Sequence, residues 1–310
     1  MSQANPAEFT AQPASDQQFL LAEGPLWDPA AGRVLWVDIR GGLVLEGRLD
    51  GGAVAVEARH ELGGTVGAVV PAADGSLLVV AADGFALVRP DGEVRRGPRV
   101  LPGSGTASRF NDAAVDPAGR LLAGSMAEDD RRGEEHLYRL DADGTVTVVD
   151  DGLTLSNGIA WSPDGRTMYH AESHLGVVWR RPYDVATGDV GPREEWLSFD
   201  ESAGGVPDGL CTDAAGAVWV AVHGAGEVRA FDPDGVRVAT VRVPAPHTTK
   251  PAFVGPALDR LLVTTARDEL SDRQRAEWPL SGSLFLADVG SAGRPAPPWA
   301  GDAASFAASL

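Results

Sequence analysis

Short runs rich in Val, Leu, Ile and Trp alternate along the chain with polar gaps that carry Gly or Asp-Gly. The first set reads Phe19–Trp27, Arg33–Ile39, Leu43–Leu49 and Ala53–Arg59. β-Branched and aromatic residues favour strands, and Asp-Gly favours the tight turns between them. The layout then returns, with new sets starting near Thr65, Ser108, Leu155, Gly205 and Lys250. Turn signals recur with it, at Asp74-Gly75, Asp83-Gly84, Asp91-Gly92, Asp116-Pro117-Ala118-Gly119 and Ser162-Pro163-Asp164-Gly165. Strands repeated at this period predict an all-β chain folded as a six-bladed β-propeller.

The repeat fixes a register. With Asp28 as turn landmark, its equivalents are Pro71, Asp116, Ser162, Asp213 and Gly255. Five residues before each stand Glu23, Val66, Asn111, Asn157, Asp208 and Lys250, spaced 42 to 51 residues apart. The first strand of a propeller blade lines the central channel, so these six positions should ring one axis. Four are Glu, Asn, Asn and Asp, residue types uncommon at the start of a buried strand. Singly, each could serve only to bond a strand end. Together they bring oxygen atoms to one axis, which suits a hard divalent cation in the central channel.

Blade six shows only three strands, the first at Lys250 and the others at Arg260–Ala266 and Ser283–Val289. Pro295, Pro297 and Pro298 follow and suit a loop or an edge. A ring must close or leave open edges. The polar arm, residues 1–17, is therefore expected to supply the missing outer strand, with the propeller spanning 18–301 and a tail at 302–310.

Composition narrows the function. The chain has 310 residues, 26 Lys and Arg against 44 Asp and Glu, and a net charge of −18. It has no basic patch, since Arg131-Arg132 sits inside an acidic link, so nucleic acid is excluded as a partner. Gly103-Ser104-Gly105-Thr106 is followed by neither Lys nor a helical pattern, which argues against a phosphate loop. Cys211 is the single cysteine and reads as an inert core residue. No apolar run is long enough to span a membrane and no signal-peptide pattern is visible. A cytoplasmic monomer or homodimer is expected. There is no Gly-x-Ser-x-Gly elbow and no His-Glu-x-x-His pair. His60 and His136 read as surface or strand-end residues, while His174 and His223 fall near channel-mouth loops. Trp27, Trp36, Trp161 and Trp219 read as blade packing.

Four stretches carry a resemblance: Glu23-Gly24-Pro25-Leu26-Trp27, Arg109-Phe110-Asn111-Asp112 with Asp116-Pro117-Ala118-Gly119-Arg120, Ser156-Asn157-Gly158-Ile159-Ala160-Trp161-Ser162, and Pro207-Asp208-Gly209. In this order and register the chain resembles the SMP-30/gluconolactonase/regucalcin family of sugar lactonases. The resemblance implies one divalent metal in the channel, held by Glu23, Asn157 and Asp208, with Arg109 and Asn111 facing the substrate and Glu128 near the pocket. It leaves the metal open among Ca, Zn, Mg, Mn and Fe(II). Two departures bear on the substrate. Glu172-Ser173 stands where Asp-Ser or Asp-Thr is common, so Glu172 is expected to narrow the pocket or reach the substrate. Lys250 stands where a small or hydroxyl residue is expected; it could neutralise charge, hold a substrate carboxylate or act as a base.

The implied reaction is opening of a small sugar lactone or aldonolactone by metal-assisted attack of water, with Asp208 also moving a proton. Two other readings stay open: an aryl-ester or organophosphate hydrolase on the same propeller, and a non-catalytic calcium- or ligand-binding protein. Fold alone does not choose among them.

Overall fold

The computed structural model describes residues 5–101, 108–129, 131–200, 202 and 204–307. The Gly103–Thr106 stretch and Asp130 of the acidic link lie outside the described residues. Six antiparallel sheets follow one another along the chain, each ordered from an inner strand outward. The inner strands are Ala22–Asp28, Val66–Pro71, Ser108–Val115, Ser156–Trp161, Val206–Thr212 and Thr248–Val254. The chain is a six-bladed β-propeller.

Turn chemistry explains why the landmarks repeat. Asp28, Asp116 and Asp213 each turn a side-chain oxygen onto the next turn's backbone, as at Asp116, which accepts from the N–H groups of Ala118 (2.9 Å) and Arg120 (2.7 Å). Arg33 and Arg120 then pair with Asp28 and Asp116. Apolar faces pack between neighbouring blades. Leu35, Val37, Val69 and Val79 fill one such layer, and Trp27, Trp36, Trp161 and Trp219 are all buried.

Every inner strand has a register shift at its ring position, between Glu23 and Leu26, Val66 and Ala68, Phe110 and Ala113, Ser156 and Ile159, Pro207 and Leu210, and Thr248 and Pro251. A β-bulge adds a residue, kinks the strand and re-aims the side chain. Glycine follows the ring residue in four blades, as Gly24, Gly67, Gly158 and Gly209. At Gly158 a Cβ would lie 2.6 Å from Leu210 N, and at Gly209 one would lie 2.4 Å from Lys250 Cβ. The neighbouring inner strands thus approach too closely for a side chain there. Blades three and six place Asp112 and Pro251 at this position instead.

Segments near both ends of the described chain join the ring. Gln12–Pro13 pairs with Phe285–Ala287 as the outermost strand of blade six. Ala7–Thr10 adds in parallel to Arg237–Arg242, giving blade five a fifth strand. At the other end, the segment from Gly293 to Ala300 crosses the lower face of the channel. It bridges Asp213 of blade five, Ala72 of blade two and Gly119 of blade three. Trp299 on this segment is fully buried and stacks edge-on with Phe306, 6.1 Å away. Phe306 projects from the short helix Ala303–Ala307 against Gly97, where even a methyl group would clash with its ring. Burying such a phenylalanine contributes about 2–3 kcal/mol. No helix among the described residues is long and apolar enough to cross a membrane.

Candidate functional site

The six bulges point their side chains at the axis, and the structure brings Glu23, Asn111, Asn157, Asp208 and Lys250 together there, all buried. Val66 completes the ring with an apolar side chain.

Asn157 is oriented by a short relay. Ser173 Oγ donates to the Pro207 carbonyl (2.6 Å) and so is left to accept from Asn157 Nδ2 (3.0 Å). This fixes the amide, and Asn157 Oδ1 stays buried with no partner. Glu23 is similar. Its Oε2 accepts from the Gly24 N–H, and its Oε1 is buried and unpartnered. Such orphaned acceptors are uncommon in folded proteins.

The charges tell the same story. Burial, then the neighbouring Asp112 carboxylate, pushes Glu23 up to about 8. Burial and the Glu23 and Asp112 carboxylates hold Asp208 well above the ordinary range, against a hydrogen bond from Asn157 and the nearby Lys250 charge. Two carboxylates are therefore held together away from water, and one oxygen of Glu23 and the amide oxygen of Asn157 have nothing to accept from. Glu23, Asn157 and Asp208 fit a divalent cation: the ligands are hard oxygens and their two negative charges balance the ion.

Lys250 differs from the reading of it as a base. Its ammonium pairs with Asp112 Oδ1 and donates to the Ala113 carbonyl (3.3 Å). Burial pulls its pKa down, but the Asp112 and Glu23 carboxylates more than offset that and keep it above the ordinary value. This pairing fits the first of the three roles open to Lys250, neutralising charge on the axis. Lys250 also borders an apolar cavity of about 210 Å³, lined among others by Val70, Ile159, Leu210, Cys211 and Pro295. Cys211 borders this cavity, and burial pushes its thiol pKa upward, away from reactivity.

Glu172 also needs correcting. It does not reach into the pocket: its two carboxylate oxygens accept from the backbone N–H groups of Leu155 (2.9 Å) and Thr154 (3.3 Å). In the Glu172-Ser173 pair the serine serves the ring, through Asn157, and the longer acid ties down the loop that enters blade four.

On the mouth side, Arg109 donates to Asn111 Oδ1 (2.8 Å) and to Glu128 Oε1 (3.2 Å). Asn111 in turn donates to the Ser156 carbonyl (3.0 Å), so its amide is committed to holding Arg109 in place. Burial and the nearby Arg40 lower Arg109 to about 10, which leaves it charged at neutral pH. Arg40 pairs with Glu128 of blade three and lies 3.5 Å from Asp268 beyond the second strand of blade six. Sequence reasoning missed Arg40, Asp112 and Ser173. Asp112 had a signal, as the one acid at a position where four blades carry glycine. Of the histidines, His60 pairs with Glu46, His136 packs against the Tyr138 ring and His174 is exposed.

His170, beneath the site, bonds Ser156 Oγ (2.8 Å) and is fully buried, and burial lowers its pKa to about 3. The unfolded chain takes up a proton there near pH 6.5. Stability present above that pH is therefore lost as pH falls from about 6.5 to 3, by about 1.4 kcal/mol per pH unit. Urea unfolding measured across this range should show His170→Gln losing one proton of that slope.

The fold and the ring place the chain among six-bladed propellers that gather polar side chains on the channel axis. Within that class it belongs to the SMP-30/gluconolactonase/LRE-like family, whose model matches residues 21–267. It is 36% identical to a pentonolactonase of Haloferax volcanii over 284 residues, covering 90% of this chain and 94% of that one. It is 33% identical to a 6-deoxy-6-sulfogluconolactonase of Pseudomonas putida, covering 92% and 97%. A crystal structure of the calcium-binding protein regucalcin from Agrobacterium tumefaciens superposes with a TM-score of 0.87 at 32% identity, covering 96% of this chain and 99% of that one.

Proposed function

We propose that this protein is a lactonase, a carboxylic-ester hydrolase that opens a small sugar lactone or aldonolactone with a divalent cation held by Glu23, Asn157 and Asp208. One observation carries the reading: Glu23 Oε1 and Asn157 Oδ1 are buried, unpartnered acceptors beside the Asp208 carboxylate on the axis. Relatives at 33–36% identity named for sugar lactones support the substrate class.

A cation bound there supplies Lewis acidity, polarising an ester carbonyl and stabilising the charge that develops on attack. The chain's own groups do the rest. Arg109, held by Asn111 and Glu128, presents a fixed guanidinium to ring hydroxyls or the carbonyl oxygen of the lactone. Asp208 takes a proton from the attacking water and returns it to the departing alkoxide oxygen as the ring C–O bond breaks. Its place on the axis beside Glu23 and Asn157 puts it next to the reacting oxygens, where one carboxylate can serve both transfers. The Lys250–Asp112 pair keeps a fixed positive charge beside the ring, next to the Glu23 and Asp208 carboxylates.

The test is a pH-indicator assay against a panel of aldonolactones, with aryl esters alongside. Acid release from at least one lactone at a rate well above that from the esters is the expected outcome. The similarity to a calcium-binding regucalcin structure favours a second reading, cation binding without turnover. That reading is left standing if no lactone is hydrolysed by protein that binds the cation.

A further inference from the structure

At the mouth, on the seam between blades five and six, a second group of ligand atoms converges. His223 ends the second strand of blade five, Val218–His223. His247 immediately precedes the inner strand of blade six, and Glu269 follows that blade's second strand. One ligand atom from each of the three lies within 4.8 Å of the others. The two imidazoles stack, with centroids 4.1 Å apart and planes at 23°.

Three facts set this cluster apart from a packed histidine pair. His247 Nδ1 is buried with no hydrogen-bond partner. So is Asp268 Oδ1 on the adjoining residue, whose carboxylate acts on His247 together with that of Glu269. Glu269 is exposed while the two rings are not, so a cation from solvent can reach the group through the carboxylate. Two neutral imidazoles with carboxylates are a donor set for a borderline cation such as zinc, with a position left for water, and not for the hard cation that suits the all-oxygen ring.

We propose that His223, His247 and Glu269 form a second metal site, selective for zinc-type cations, that pins the loop carrying Glu269 to blade five at the channel mouth. The inference does not rest on the lactonase reading.

The test is equilibrium dialysis of the whole chain against micromolar zinc with millimolar magnesium present to compete for the oxygen ring. The parent should retain one more zinc per chain than His247→Ala, and zinc affinity should fall at least about tenfold in Glu269→Gln. Glu269 is exposed, so that variant keeps the fold even if His247→Ala does not. Cobalt-loaded parent should show visible absorption from nitrogen ligation that His247→Ala loses. Equal zinc content in the parent and both variants would overturn the proposal. So would zinc loss in Asp208→Asn alone, which would place the zinc in the ring and leave the histidines a stacked pair.

Discussion

Replacing Asp208 with asparagine should lower lactone turnover about 1,000-fold, the effect of removing a proton-transferring group that also carries half the site's negative charge. The substitution keeps the shape of the side chain and the hydrogen-bonding reach towards Asn157. It removes the charge that burial and Glu23 oppose. Stability should therefore move against activity. Stripped of metal, Asp208→Asn should melt above the parent, because the parent alone must crowd a second buried carboxyl against Glu23 and Asp112, by protonating it or by holding its charge out of water. With saturating cation the order should reverse. Differential scanning calorimetry with and without chelator reads both signs. A variant that is inactive and also less stable in both states has merely misfolded. One that turns over lactone like the parent removes Asp208 from the mechanism.

Lys250→Met should destabilise the metal-loaded protein by about 3–5 kcal/mol, because breaking a buried ion pair leaves an uncompensated charge. Asp112 is 1% exposed, its Oδ2 already lacks a partner, and Lys250 holds its Oδ1. At a few degrees per kcal/mol, the midpoint should fall by roughly 10 °C. Adding Asp112→Gly restores the residue found after the ring position in four other blades and should recover most of the loss. A double-mutant cycle that comes out additive would show that the two side chains do not act as a unit.

This pair also marks where the sequence stops being readable. The ring was legible because strand and turn chemistry recur at a near-constant period, which set Glu23, Asn111, Asn157 and Asp208 in register before any coordinates. The bulges that aim them were half visible, in the glycines after four of the six ring residues. Partners across the ring were not. Lys250 and Asp112 are 138 residues apart, and a repeat pattern says which positions face the axis but not which side chains meet there. The same limit explains Glu172 and Ser173. Glu172 closes its strand and Ser173 opens the 3-10 turn after it, and the sequence shows which residues stand at that end but not which of them meets the ring. The parallel strand Ala7–Thr10 left no signal either, because an added edge strand needs only backbone groups and its polar sequence resembles a loop.

The decisive measurement is bound metal against turnover in one titration. Chelator-treated protein, verified metal-free, is reloaded stepwise, and lactone hydrolysis is read at each step. Activity should start near zero and rise in proportion to the first equivalent bound, with Asp208→Asn showing neither the tight binding nor the rise. Full activity in verified metal-free protein, or one bound equivalent without any gain in turnover, would contradict a cation on Glu23, Asn157 and Asp208 as the centre of the chemistry.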